Sequence, residues 1–207
     1  SGDNNLIIRG NTLIAGITSQ SSPDKTNKKI TEANKLFENR NYLGAIKSYN
    51  DILKSISSTN NPEEFAQVMT GLANTYVELA CFINKEENSL KAVALFDEVI
   101  NKIKNDKYSL YRAAAYKGMG NAYLLAAKVR DMEKTSPKAL NALNEAIKIY
   151  QKEKYPLEYA DAQYYVAIVN INLAFSKNGN EYLLKALDAC DNALSAYKIK
   201  TTSRDML

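Results

Sequence analysis

The sequence of 207 residues contains no histidine and only 8 glycines, 4 prolines and 2 cysteines. Without histidine the chain cannot build a Ser-His-Asp or Cys-His catalytic centre or a histidine-ligated metal site. The scarcity of glycine and proline argues against a β-sandwich or barrel, since those folds need turn residues at short intervals. No apolar run approaches the roughly 18 residues of a membrane-spanning helix. We therefore expect an all-α protein with no membrane span.

Charge is close to balanced, with 27 basic and 23 acidic side chains and a formal net charge of +4. The basic excess is spread along the chain and forms no clustered run. Proteins that bind nucleic acid usually carry a concentrated basic face. We therefore expect no nucleic acid among the partners.

The two cysteines, Cys81 and Cys190, lie more than a hundred positions apart within helical patterns. This spacing does not indicate a disulfide framework, and we expect both residues to be small buried apolar side chains. No signal-peptide pattern opens the sequence, so a cytoplasmic location is expected.

An internal repeat organises most of the chain. Four alanines, each 47 residues after the one before, open similar apolar stretches: Ala45, Ala92, Ala139 and Ala186. Apolar residues follow each alanine four and seven positions later, which is one face of an α-helix. A second pattern precedes each alanine, with a small residue followed by asparagine, as in 72–76 and 119–123, and more weakly in 168–172. Each unit is therefore predicted to be two helices joined by a turn.

The predicted helices cover residues 25–40, 42–57, 62–83, 88–105, 108–131, 136–153, 156–177 and 180–199. Pro62, Pro137 and Pro156 fall near helix starts, where proline is tolerated, and Asn60, Asn61 and Ser136 are candidate N-caps. The repeat domain thus spans 25–199. Residues 1–24 are predicted to be an arm or small hairpin plus linker, because apolar segments flank a Gly-Asn dipeptide. Residues 200–207 form a polar tail.

These units resemble the tetratricopeptide repeat. The preferred positions of that family are matched in the first unit by Ala33, Leu36, Ala45, Tyr49 and Ile52. In the later units the first helix is about two turns longer, similar to the long repeats of kinesin light chains. The resemblance covers about residues 25–199 and implies a right-handed α-solenoid of four helical hairpins, eight helices in all, whose first helices line a concave groove.

The resemblance also places candidate binding residues in that groove. An asparagine recurs at one groove-facing position of each unit: Asn34, Asn74, Asn121 and Asn170. Amides offer both donors and acceptors, so this ladder could pair with the main chain of an extended peptide, or it could bond neighbouring helices and fix the repeat register. The further candidates are Gln67, Thr70, Lys117 and Gln163, of which Lys117 is the cation at the centre of a mostly neutral lining.

No phosphate-binding loop, dinucleotide fingerprint or CxxC motif occurs. We expect no enzymatic activity, no cofactor and no metal. The predicted function is a protein-interaction scaffold that binds a peptide or partner segment in the groove. The alternatives are a sensor or regulatory module of a larger assembly, for example with a caspase-like protease, and a self-assembling structural protein.

A wide apolar stripe marks the last predicted helix and includes Leu183, Leu184, Leu187, Cys190, Leu194 and Tyr197. Part of this stripe has no predicted partner within the chain. Self-association, a partner protein or further repeats could cover it, and we expect self-association or further repeats.

Overall fold

The computed structural model describes residues 25–127, 132–177 and 179–204, so the predicted arm at 1–24 lies outside the described residues. Within these ranges the chain forms eight α-helices, one short 3-10 turn at Asp106–Tyr108 and no strand. The helices are α1 (Lys25–Glu38), α2 (Tyr42–Leu53), α3 (Pro62–Ala80), α4 (Lys85–Lys102), α5 (Ser109–Ala126), α6 (Met132–Ile149), α7 (Pro156–Lys177) and α8 (Asn180–Arg204). The all-α prediction is confirmed.

Each helix packs against the next one in the chain, which gives four hairpins: α1–α2, α3–α4, α5–α6 and α7–α8. α3 and α7 begin at Pro62 and Pro156, as predicted, because proline lacks only an N–H that the first helical turn leaves unpaired. None of the described helices combines the length and the apolarity needed to cross a membrane.

Several helix boundaries differ from the prediction: α2, α3 and α6 end three or four residues early, α4 is shifted three residues toward the N-terminus, and α5 ends five residues early at Ala126. α6 begins at Met132, so Pro137 lies inside the helix, and Ser136 is a buried helical residue rather than the predicted N-cap. α8 continues to Arg204, five residues past its predicted end at 199. Residues 200–203 contain neither glycine nor proline, so nothing in the sequence stops the last helix there.

The core is built where the repeat pattern places it. The four alanines that define the 47-residue period are all buried, with at most 4% of their surface exposed. Small residues allow neighbouring helices to approach closely, and larger apolar side chains fill the space beside them. The largest apolar cluster lies among α3, α4 and α5 and includes Phe65, Met69, Phe96 and Tyr111.

Contacts between successive repeats are complementary in size. Tyr49 on α2 packs against Gly71 on α3, where a Cβ atom would lie 2.8 Å from Cζ of the ring. Phe96 on α4 packs in the same way against Gly118 on α5, where a Cβ atom would lie 2.3 Å from Cζ. Both glycines therefore leave room for a buried aromatic ring.

At the third junction the sizes are reversed. The residues 47 positions after Phe96 and Gly118 are Leu143 and Tyr165, which belong to one buried cluster between α6 and α7. The smaller side chain now comes from the even-numbered helix and the aromatic ring from the odd-numbered helix. The aromatic ring is thus contributed by the odd-numbered helix at the third junction and by the even-numbered helix at the first two, while the 47-residue spacing between equivalent positions is unchanged.

Both cysteines are free, as expected, but the prediction that they are buried is wrong, since both are exposed. Cys81 follows the last residue of α3, where the chain turns toward α4, and its thiol donates to the carbonyl oxygen of Val77 at 3.7 Å. Cys190 lies on the uncovered side of α8. Its positional equivalents in the earlier repeats, Tyr49, Phe96 and Leu143, are at most 1% exposed.

Candidate functional site

The odd-numbered helices form a continuous layer. α1 contacts α3, α3 contacts α5 and α5 contacts α7, whereas the even-numbered helices make no comparable contact with one another. All four asparagines of the predicted ladder lie on these odd-numbered helices. The predicted binding residues therefore all lie on this layer of odd-numbered helices.

Asn34 is engaged inside the first hairpin. Its Oδ1 accepts a hydrogen bond of 2.6 Å from the hydroxyl of Tyr49 on α2. Tyr49 is 1% exposed, and burial raises the pKa of its phenol well above the ordinary value. The Asn34 amide therefore satisfies a buried hydroxyl, which is a structural role.

Asn74 and Asn121 differ from Asn34. They lie 47 residues apart on the adjacent helices α3 and α5, and both are partly exposed. Neither side chain makes a hydrogen bond within the described part of the chain. Both amides therefore keep their donors and acceptors available at the surface.

Asn170 and Gln163 are buried, with 3% and 9% of their surface exposed. The amide of Asn170 donates to the carbonyl oxygen of Val166 at 2.9 Å, and that of Gln163 donates to the hydroxyl of Tyr159 at 3.0 Å. Asn170 lies 49 residues after Asn121, two more than the period. This placement counts against an asparagine ladder that extends onto α7.

The 47-residue period identifies the partly exposed positions of α7 instead. Positions 47 residues after Ala114, Lys117 and Asn121 are Asp161, Tyr164 and Ile168, and all three are partly exposed. Sequence reasoning had considered Tyr164 as a tyrosine within reach of a ligand, but it missed Asp161 and Ile168 because it followed the asparagine into the fourth unit rather than the constant spacing.

Lys117 is not a free cation. Its Nζ lies 3.1 Å from Oδ2 of Asp161 on α7, and the two side chains retain only 12% and 23% of their exposed surface. The other oxygen of Asp161 accepts a hydrogen bond of 3.3 Å from the hydroxyl of Tyr197. The predicted central positive charge is thus neutralised within the protein.

Gln67 and Thr70 lie on α3, one to two turns before Asn74. Gln67 is partly exposed, whereas Thr70 is 8% exposed and its hydroxyl makes no hydrogen bond within the described residues. Buried hydroxyls without a partner are uncommon in folded proteins. The oxygen itself has almost no accessible surface, so a ligand on this face does not reach it and Thr70 is not placed as a binding residue.

Glu78 belongs to the same helix face and was missed by the sequence analysis. It lies one turn after Asn74, and burial raises the pKa of its carboxyl, while the nearby charge of Arg40 partly opposes that shift. Its spacing of four residues from Asn74 is the signal that could have identified it.

Among the described residues, neither a cluster of possible metal ligands nor a cleft coincides with the predicted binding residues. The described residues hold no group of three or more cysteine, aspartate or glutamate side chains that could bind a metal ion. A cleft of about 390 Å³ lies among α2, α3 and α4, and a shallow one of about 510 Å³ lies at the start of α4. None of the predicted binding residues lines either cleft.

Comparisons with known proteins identify no relative: no family model matches the chain, and neither the curated proteins nor the solved structures contain a significant match.

Proposed function

We propose that this chain is a protein-interaction scaffold of the tetratricopeptide type, a right-handed solenoid that binds an extended peptide across its odd-numbered helices. The observation that carries the proposal is the pair Asn74 and Asn121. Their amides occupy equivalent positions on adjacent helices, are partly exposed and have no hydrogen-bond partner among the described residues. An extended main chain presents alternating donors and acceptors that amides can satisfy.

Two further observations support a groove on this side. Helices that contact their counterparts in neighbouring repeats lie on the inside of a curved array, and here these are the odd-numbered helices. The pKa of Tyr165 on α7 is raised mainly by burial, and the negative charges of Asp161 and, two repeats away, of Glu78 on α3 add to that shift. Because charge effects weaken with distance, this favours an array that curves toward the odd-numbered side.

Within this proposal Asn74 and Asn121 hold the peptide main chain, and the amide of the partly exposed Gln67 extends the polar lining along α3. Glu78 supplies an acidic end to the same stripe. Because Asp161 neutralises Lys117, the centre of the groove should select weakly by charge. A cytoplasmic location is part of the proposal, in keeping with two free thiols.

The test uses a peptide selected from a display library of random ten-residue sequences, with affinity measured by fluorescence anisotropy. The variant Asn74→Ala/Asn121→Ala should bind it about 5- to 150-fold more weakly, since each of the two lost hydrogen bonds costs about 0.5–1.5 kcal/mol. The control Asn50→Ala/Asn144→Ala removes two exposed amides from the even-numbered helices and should bind normally.

The same peptide also tests the charge of the groove. Binding to the wild type should change little with salt, whereas Asp161→Asn should release Lys117 and add salt-sensitive affinity for acidic peptides. Unfolding by urea separates binding from stability. If Asn74→Ala/Asn121→Ala loses stability and still binds normally, both asparagines are structural and the proposal is wrong.

Self-assembly is the alternative function with an observation behind it, because α8 exposes several large apolar side chains. Sedimentation over a range of protein concentrations measures it directly, and a monomer at all concentrations would exclude it.

A further inference from the structure

Small side chains join α7 and α8 at one end of their hairpin. Because the two helices are antiparallel, the first turns of α7 lie beside the last turns of α8. The buried apolar residues at this end are Ala160 on α7 and Ala193 and Ala196 on α8, with the ring of Tyr159 packed beside them. An alanine methyl group removes little apolar surface from water, so packing alone holds this end of α8 only weakly.

A polar network joins the same end of the hairpin to α5. Asp161, the residue after Ala160, accepts a hydrogen bond of 3.3 Å from the hydroxyl of Tyr197 on α8 through Oδ1. Its other oxygen, Oδ2, lies 3.1 Å from Nζ of Lys117 on α5. One carboxylate therefore links three helices, and each of its oxygens serves a different partner.

The pair Lys117–Asp161 differs from the other ion pairs of the described residues. The others join side chains three to six positions apart, whereas Lys117 and Asp161 are 44 positions apart and lie on different helices. The residues 47 positions earlier are Thr70 and Ala114, and neither is charged. The network therefore belongs to the junction of the third and fourth repeats.

Burial makes the two bonds of Asp161 depend on each other. The side chains of Lys117 and Asp161 keep only 12% and 23% of their exposed surface, so removing the cation leaves a partly buried carboxylate without its partner. The carboxylate would then turn toward water, and the hydroxyl of Tyr197 would lose its acceptor. Burial, followed by the charge of Asp161, raises the pKa of Tyr197, which keeps this phenol protonated as a donor.

We propose that Lys117, Asp161 and Tyr197 form a latch, in which the ion pair between α5 and α7 holds the last turns of α8 in place. Lys117 is a positioning residue, because it fixes the Asp161 carboxylate through Oδ2 and thereby presents Oδ1 to Tyr197. Loss of the ion pair should loosen the end of α8, although Lys117 bonds to α7 and not to α8. The latch does not depend on whether the odd-numbered helices bind a peptide.

The test is amide hydrogen exchange in the full chain, read at residues 193–199 of α8, because local opening of a helix sets these rates. Four proteins are compared: the wild type, Lys117→Met, Tyr197→Phe and the double variant. Lys117→Met should raise the exchange rates about tenfold, since it strands the Asp161 charge. Tyr197→Phe should raise them about 2- to 12-fold in the wild type, as one lost hydrogen bond predicts. In Lys117→Met the same change should add less than about twofold.

Two controls separate this coupling from a general loss of stability. Lys148→Met removes a local ion pair with Glu145 on α6 and should leave the exchange of α8 unchanged. Ser195→Ala removes a hydroxyl that donates to the carbonyl oxygen of Asn192 within α8. Its effect should be the same factor in the wild type and in Lys117→Met, because this hydrogen bond does not involve Asp161.

The proposal is overturned if Tyr197→Phe has the same effect in the wild type and in Lys117→Met, or if Lys117→Met leaves the exchange of α8 unchanged. Circular dichroism checks that each variant keeps its helicity. If Lys117→Met does not, Asp161→Asn replaces it, since it keeps the size of the side chain and removes its charge. Tyr197→Phe should then add less than about twofold, and a full effect would overturn the latch. None of these outcomes depends on Asn74 or Asn121, so the proposed peptide groove is tested independently.

Discussion

Gly118 provides the most direct test of how closely the repeats pack. Its substitution by alanine adds one methyl group on the side of α5 that meets α4. The new Cβ would lie 2.3 Å from Cζ of Phe96, whose side chain is fully buried. Carbon atoms in contact prefer separations of about 3.5–4.0 Å, so the ring would have to move by roughly 1 Å.

Two opposing effects set the magnitude. Alanine in place of glycine inside a helix stabilises by up to about 1 kcal/mol. Overpacking a tightly filled core costs about 1–3 kcal/mol, and here the buried ring has no free space in which to turn. We therefore expect Gly118→Ala to lower the free energy of unfolding by about 1–2 kcal/mol. Gly71→Ala should cost less, because its Cβ would lie 2.8 Å from the Tyr49 ring.

Urea denaturation followed by circular dichroism measures these changes. Gly44→Ala is the comparison at an exposed site: its new Cβ would lie 2.8 Å from the side chain of Asn41, which caps α2 by accepting from the Gly44 N–H, so the gain in helix propensity is offset by a disturbed cap and stability should change by no more than about 1 kcal/mol. Adding Phe96→Leu to Gly118→Ala should recover about 1 kcal/mol relative to the sum of the single changes. If Gly118→Ala raises stability by about 1 kcal/mol, helix propensity alone governs the site and the packing argument fails.

The remaining predictions concern titration and reactivity. Burial raises the pKa of Tyr49, Tyr111, Tyr150 and Tyr165. The folded state therefore holds these protons to higher pH than the unfolded chain. Stability should be unchanged below the ordinary tyrosine pKa near 10 and fall above it, by at most about 1.4 kcal/mol per pH unit for each tyrosine. Ultraviolet titration should show these four phenols ionising only as the protein unfolds, and ionisation of all 14 tyrosines in the folded state would contradict this. Maleimide should label Cys190 faster than Cys81, because burial raises the pKa of the Cys81 thiol and leaves less thiolate. Equal rates in Cys81→Ser and Cys190→Ser would refute that ordering.

The sequence predicted the helices well because a constant period carries packing information. The alanines spaced by 47 residues are buried as expected, and Pro62 and Pro156 start helices. The start of α6 was misjudged because proline favours the first helical turn, whereas Pro137 lies five residues after the first residue of α6, where its missing N–H removes a backbone hydrogen bond. Whether each candidate side chain is paired depends on tertiary contacts such as Lys117 with Asp161, which join different helices and leave no local trace in the sequence.

The exposure of the candidate binding residues was predicted less well than the fold. Following the residue type asparagine led to the partly exposed Asn74 and Asn121 but also to the buried Asn170. Position in the period, rather than residue type, determines which side chains reach the surface. For the same reason the exposure of Cys190 could not be predicted from its hydrophobicity, because it depends on whether another helix follows α8.

The alternation of large and small residues at the junctions limits how the units could be rearranged. If α3 and α4 were deleted, α2 would meet α5, and Tyr49 would face Gly118, a pair of the same kind as the native one. If α5 and α6 were deleted instead, Phe96 would face Tyr165, and two aromatic rings would compete for the space of one. The second and third repeats are therefore not interchangeable modules, although they share one length. Gain or loss of whole repeats is permitted at one junction and blocked at the next.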